Sequence, residues 1–194
     1  MGQQRRVGER ASLNLYRFVV NDQVTFTDPL GLDVKAPNEA KMGFCITDID
    51  YAVSLAKRWN IPGPAGMPIE RMWQDMKSRE MPQTLQFVPT KRKARTTATD
   101  TAGGNTTIEF PKCNPRSGAK DIRGEDGMYY FHAAIIHELI HAYGRMKGTG
   151  GTSLTAHTGS YPEEAQSAGT KMNDNLDSRF QDMRDLADLI LKTE

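Results

Sequence analysis

The chain has 194 residues, 38% hydrophobic and 25% charged, enough for one ordinary globular domain with a shorter companion segment. A formal net charge of +1 removes any general pull towards nucleic acid or acidic lipid, and no apolar run approaches the length of a membrane span. The two cysteines, Cys45 and Cys113, stand far apart and in no CxxC pairing, which excludes a zinc ribbon or a thioredoxin-type motif. Two buried free thiols are expected, with a single disulfide left open.

Met1-Gly2-Gln3-Gln4-Arg5-Arg6 leads into no apolar stretch, so no secretory signal peptide is expected. Residues 14–18 and 24–26 predict two short strands around the Asn21-Asp22 turn, and Asp28-Pro29-Leu30-Gly31-Leu32 closes the segment with turn residues. A ribbon of this size does not hold itself together in water, so it is either fringe on the main domain or the end of something larger.

From Asp33 onward the pattern reads as α+β. Ala52, Val53, Leu55 and Ala56 recur loosely at helical spacing and predict a helix over 49–59, ended by Asn60 and Pro62. Pro62 to Gly66 reads as a turn, and residues 68–77 resume helix with Met72 and Met76 inward as core. Residues 84–88 alternate like a strand. Lys91-Arg92-Lys93-Ala94-Arg95 reads as a solvated loop rather than a phosphate-binding patch, because no aromatic interleaves with it. Residues 96–104 form a loose Thr-rich link, and 105–110 a second strand stopped by Pro111. A helix is expected over 128–143, ended by Gly144, followed by a Gly- and Thr-rich mobile loop over 147–158. Pro162 fits the first position of another helix. Leu176, Phe180, Met183, Leu186, Ala187 and Ile190 mark an amphipathic C-terminal helix.

Inside the helix over 128–143 lies His137-Glu138-Leu139-Ile140-His141. Positions i and i+4 lie one above the other on a helix, so His137 and His141 can point two imidazoles at one zinc ion. Glu138 stands about 100° round the helix, near enough to take the proton from a water that zinc has acidified. Uncharged residues on both sides (Ala134 to Ile136, Leu139, Ile140, Ala142, Tyr143) suit a buried helix with one polar stripe. A core helix with hydrogen-bonded histidines would explain one such residue, but poorly explains two in register with a glutamate between them.

A catalytic zinc needs a third protein ligand and one open position. His157, Glu163, Glu164 and Asp174 are the downstream candidates. Glu163 and Glu164 would ride on the rigid start of the helix at Pro162, although the helix dipole alone also favours carboxylates there. Tyr161, Tyr143, Arg179 and Arg184 carry donors suited to a tetrahedral oxyanion; a solvated helix face is the better reading of the two arginines. Strand 105–110 is the candidate for a cleft-edge strand on which an extended peptide could add by β-pairing, with an ordinary sheet strand as its equal.

Two resemblances extend this reading. Asn14-Leu15-Tyr16-Arg17-Phe18-Val19-Val20-Asn21-Asp22 running into Asp28-Pro29-Leu30-Gly31-Leu32 resembles the end of the core in bacterial Rhs (YD-repeat) polymorphic toxins. There a hollow β-shell precedes a variable C-terminal toxin domain. The resemblance implies that residues 1–32 end the shell, that 33–194 are the toxin, and that the parent cleaves itself between Leu32 and Asp33. It also implies type VI secretion as the route, a cognate immunity protein, and synthesis in the bacterial cytoplasm with action inside a target cell.

Residues 33–194 in turn resemble the gluzincin type of zincin metallopeptidase, most nearly the bacterial type III effector proteases and more distantly the clostridial neurotoxin light chains. The shared features are HELIH at His137–His141 and the Glu-Glu-x-x-x-x-Gly pattern of Glu163, Glu164 and Gly169. The neurotoxin pattern implies Glu164 as zinc ligand and Glu163 as a carboxylate that supports a histidine. The loop before them is shorter here, so Glu163 stays open as the ligand. The resulting expectation is a zinc endopeptidase toxin with His137, His141 and Glu164 on Zn2+, Glu138 as base and Tyr161 as the oxyanion donor. It acts on a protein substrate in the target cell, with no nucleic-acid partner and no membrane insertion. Its rivals are an Rhs nuclease toxin and a non-catalytic zinc-binding module.

Overall fold

The computed structural model describes residues 34–35, 39–78, 81, 83–98, 105–124, 127–147 and 161–193, all within the unit Gly31–Glu194. The elements run β1 (Val34–Lys35), α1 (Glu39–Met42), α2 (Ile46–Arg58), α3 (Ile69–Met76), β2 (Thr84–Thr90), β3 (Arg95–Ala98), β4 (Asn105–Pro111), β5 (Ile122–Arg123), β6 (Met128–Tyr129), α4 (Phe131–Met146) and α5 (Pro162–Thr193). The α+β expectation holds. The strands predicted over 14–18 and 24–26, the Leu32–Asp33 junction and most of the 147–158 loop lie outside the described residues.

Four strands form a sheet in the order β1-β2-β4-β3, parallel except for β3, which pairs antiparallel with β4. Side chains alternate along a strand, so one face collects Leu85, Phe87, Thr106, Ile108 and Phe110, all buried. Thr106, the polar member, donates its hydroxyl to Gln83 Oε1 at 2.5 Å. Phe44 packs edge-on to Phe87 and Phe110, with centroids 6.0 and 5.3 Å away, and meets Phe131 at 5.0 Å. This aromatic cluster joins the sheet to the start of α4.

Helix α4 is buried on nearly every side, with only His132 and Arg145 partly exposed. A helix apolar all round belongs in a core, and α2, α3, α5 and the sheet surround this one. Just before its N-terminus α5 ties down Tyr130: Asn173 Oδ1 accepts the Tyr130 backbone N–H at 3.1 Å, and Asp177 accepts the Tyr130 phenol at 2.7 Å. Lys120 and then Tyr130 hold the Asp177 carboxyl below its usual range. On the far side, Trp73 Nε1 of α3 donates to Asp50 of α2 at 2.6 Å. No helix among the described residues is long and apolar enough to cross a membrane.

Three boundaries differ from expectation. Residues 95–98 are strand β3 rather than part of a loose link, because Arg95 forks onto Glu109 at 2.8 Å through both Nε and a terminal nitrogen and pins the pairing. The motif helix starts at Phe131, after Met128 and Tyr129 pair with β5 as a hairpin, and runs through Gly144 to Met146. Met146 is fully buried, so the last turn is anchored by packing that a glycine does not outweigh. The two helices expected after residue 161 are one, α5. Lys91 and Arg92 are exposed, as a solvated loop requires, and Ala94 beneath them is buried.

His132 has a measurable consequence for stability. Burial pushes its imidazole down from the usual 6.5 to about 4, with nearby Asp48 pulling more weakly upward. The unfolded chain then takes a proton below about 6.5, while the folded chain resists until about 4. Stability is therefore lost as pH falls through that window, by up to roughly 3 kcal/mol. Replacing His132 with Phe should shrink the difference between urea midpoints at pH 7.5 and pH 4.5. An unchanged difference would show that His132 is protonated in the fold.

Candidate metal centre

The centre begins with three ionisable side chains in the apolar interior of α4: His137, Glu138 and His141 are 2%, 2% and 5% exposed. Burying such groups costs several kcal/mol unless partners satisfy them, so their presence needs a reason. Helical spacing sets the two imidazoles edge to face, with centroids 4.8 Å apart and planes at 71°. Their Nε2 atoms face each other at 3.2 Å. At this separation the two lone pairs cannot simply face each other: either one Nε2–H donates to the other Nε2, or a metal ion lies between them. Nitrogens about 2.0–2.1 Å from a tetrahedral zinc stand roughly 3.3 Å apart, so the observed spacing fits the bite of one zinc ion.

Glu138 is held from the sheet. Thr96 of β3 places its hydroxyl 2.7 Å from Glu138 Oε2 and 3.1 Å from the Glu138 main-chain oxygen. Sequence reasoning passed over Thr96, because 96–104 carried no periodic apolar signal. The β-branched pair Thr96-Thr97 was the available hint of a strand. Strand 105–110, the expected cleft edge, is instead flanked by β2 and β3 in the sheet interior. Its β-pairing groups are taken on both sides, so it cannot accept a peptide. Among the described residues the end strand on this side is β3, the strand that touches Glu138.

Helix α5 lies over the centre through Gly169. A Cβ built there would stand 3.2 Å from His137 Nδ1 and 3.2 Å from Tyr129 Cε1. Tyr129 in turn tilts against the His137 ring at 5.8 Å, and a Cβ at Gly124 would stand 2.7 Å from its other side. The two glycines thus let Tyr129 and His137 close together under α5. Gly169→Ala should displace His137, weakening zinc binding by about tenfold or more, as read by competition against a chromophoric chelator. Wild-type affinity in that variant would mean that α5 backs away without disturbing the imidazole.

The remaining candidates are scattered. Along α5, Ala165, Ala168, Met172 and Leu176 are buried and define the face towards the core. Glu164 lies one turn before Ala168 and is half-buried, whereas Glu163 is exposed in line with exposed Ser167 and Thr170. That register favours Glu164 as the residue on the protein side. Among the described residues, however, no three His, Cys, Asp or Glu side chains are gathered at metal-binding range, so Glu164 is not assembled with the imidazoles. His157 lies outside the described residues, and Asp174 is exposed.

Tyr161 precedes α5 half-buried against the core, in a left-handed conformation with φ of 56° that side chains other than glycine rarely adopt. Its phenol is close enough to Tyr143 to act on it electrostatically. Tyr143 donates to Asp75 at 3.2 Å, and burial raises its phenol above the usual range. Arg179 and Arg184 are exposed on α5, as a solvated face predicts.

Both cysteines are free thiols. Cys113 is buried and pushed up to about 12, chiefly by desolvation, so it stays an inert thiol. Cys45 caps α2, with Sγ 3.2 Å from Asp48 Oδ2. No protein-family model, curated protein or solved structure matches the chain.

Proposed function

We propose that residues 33–194 are a zinc-dependent endopeptidase that acts as a toxin, carried at the end of an Rhs-type delivery shell of which residues 1–32 are the last piece. The observation that carries the peptidase reading is the 3.2 Å approach of two buried Nε2 atoms with a buried glutamate between them in sequence. In this reading His137, His141 and Glu164 hold the metal, and Glu163 supports them. Zinc, when bound, would acidify a water and polarise the scissile carbonyl. Glu138 accepts the proton from that water and returns it to the departing amine, as a general base and then a general acid. Tyr161 is assigned the oxyanion donor role.

Peptide binding goes to β3 in this reading. An extended chain adding to the outer edge of an end strand gains main-chain hydrogen bonds, and β3 is the strand fastened to Glu138. A protein substrate inside the target cell, a cognate immunity protein and release from the shell between Leu32 and Asp33 complete the proposal. Two buried histidines one turn apart on a helix, in a chain of net charge +1, favour the peptidase over a nuclease.

The test is a survey of new protein termini in cells that express residues 33–194, with Glu138→Ala as control. Termini that appear only with the wild-type chain support the peptidase. Degraded nucleic acid with an unchanged terminome would replace it with the nuclease, and bound zinc with neither would leave a binding module.

A further inference from the structure

We infer that Thr96 is the positioning residue for the Glu138 carboxylate, an inference that rests on the peptidase reading and adds the residue that aims its base. Thr96 has one proton and two acceptors in reach, Glu138 Oε2 at 2.7 Å and the Glu138 carbonyl at 3.1 Å. The shorter contact lies at the length of a charge-assisted O–H···O⁻ bond, so the carboxylate takes the proton. Oε2 is thereby held in place from the sheet.

The hydroxyl is itself held in place. Thr96 pairs with Ile108 on the core face of the sheet, and its neighbour Arg95 pairs with Glu109 on the other face. A slip of one residue would turn Thr96 away from α4 and break the Arg95–Glu109 fork, so the fork locks the register. Branching at Cβ further restricts the Thr96 rotamer. Strand, ion pair and rotamer therefore converge on one hydroxyl position, the kind of support that keeps a base within its productive geometry.

The experiment compares Thr96→Val, which keeps the shape and deletes the donor, with Thr96→Ser, which keeps the donor. Each is measured for zinc content and for kcat and KM on the fastest-cleaved peptide from the terminus survey. Thr96→Val should retain zinc and lose about 10–100-fold in kcat, the usual effect of removing an orienting partner, with KM within about twofold of wild type. Thr96→Ser should recover most of the lost kcat.

A second measurement needs no activity: urea unfolding of Thr96→Val, Glu138→Ala and the double variant should be non-additive, because each single change deletes the bond the two side chains share. Wild-type kcat in Thr96→Val, a loss confined to KM, failure of serine to rescue, or additive unfolding would each overturn the inference. If Thr96→Val does not fold, Thr96→Ala against Thr96→Ser decides on the same readings. A wild-type chain that cleaves no peptide with zinc bound fails the peptidase reading itself, and the inference falls with it. A wild-type chain that cleaves while Thr96→Val cleaves equally fails this inference alone.

Discussion

Glu138→Gln is expected to abolish toxicity and peptide cleavage while zinc remains bound. The amide keeps the size of the side chain and can still meet the Thr96 hydroxyl that now reaches Oε2 at 2.7 Å, so fold and metal should survive. What it lacks is a basic oxygen. A positioned general base contributes about 10²–10⁴-fold to rate, and losing it here leaves water attack unaided. Cleavage of a peptide library and killing of host cells are the two readouts, with metal content by mass spectrometry as the control. Undiminished killing by Glu138→Gln would sink the peptidase assignment. Loss of zinc along with activity would mean that Glu138 serves the metal rather than the water.

Removing Glu164 is expected to yield metal-free protein on purification. Two histidines alone leave zinc without the complete, deprotonated ligand set on which its affinity depends. Glu163→Ala should keep zinc with activity reduced by roughly 10–100-fold, as for a supporting carboxylate, and His157→Ala should keep zinc fully. The α5 register argues the same way, since Glu164 is half-buried on the flank of the core-facing row and Glu163 points to solvent. Binding must still draw the Glu164 carboxylate to the imidazoles, because no such group is gathered among the described residues. Zinc should therefore also raise the unfolding midpoint, in proportion to the logarithm of its free concentration. If Glu163→Ala alone loses the ion, the register is off by one and the glutamate-ligand reading survives. If His157→Ala alone loses it, three histidines hold the metal and the gluzincin resemblance misleads.

Much of the centre was legible in the sequence because it is local. Helical geometry brings His137 and His141 together whatever surrounds them, and their apolar flanks announce a buried helix. The helices over 46–58 and 69–76 and the strands from 84 and 105 were legible for the same reason, as periodic patterns within a short window. Reading Gly144 as a stop failed, because a buried Met146 in the last turn outweighs the local cost of glycine.

By itself, then, the sequence determined the buried helix that carries His137, Glu138 and His141, the mixed α+β character and the acidic pair that opens the last helix. The tertiary structure alone decided which strand ends the sheet, which glutamate of the pair faces the protein, and that Thr96 and Gly169 close on Glu138 and His137. The physical reason is separation along the chain. Thr96 is 42 residues from Glu138, and no propensity, period or cap carries information across such a gap. Only the packing of β3 and α5 against α4 does.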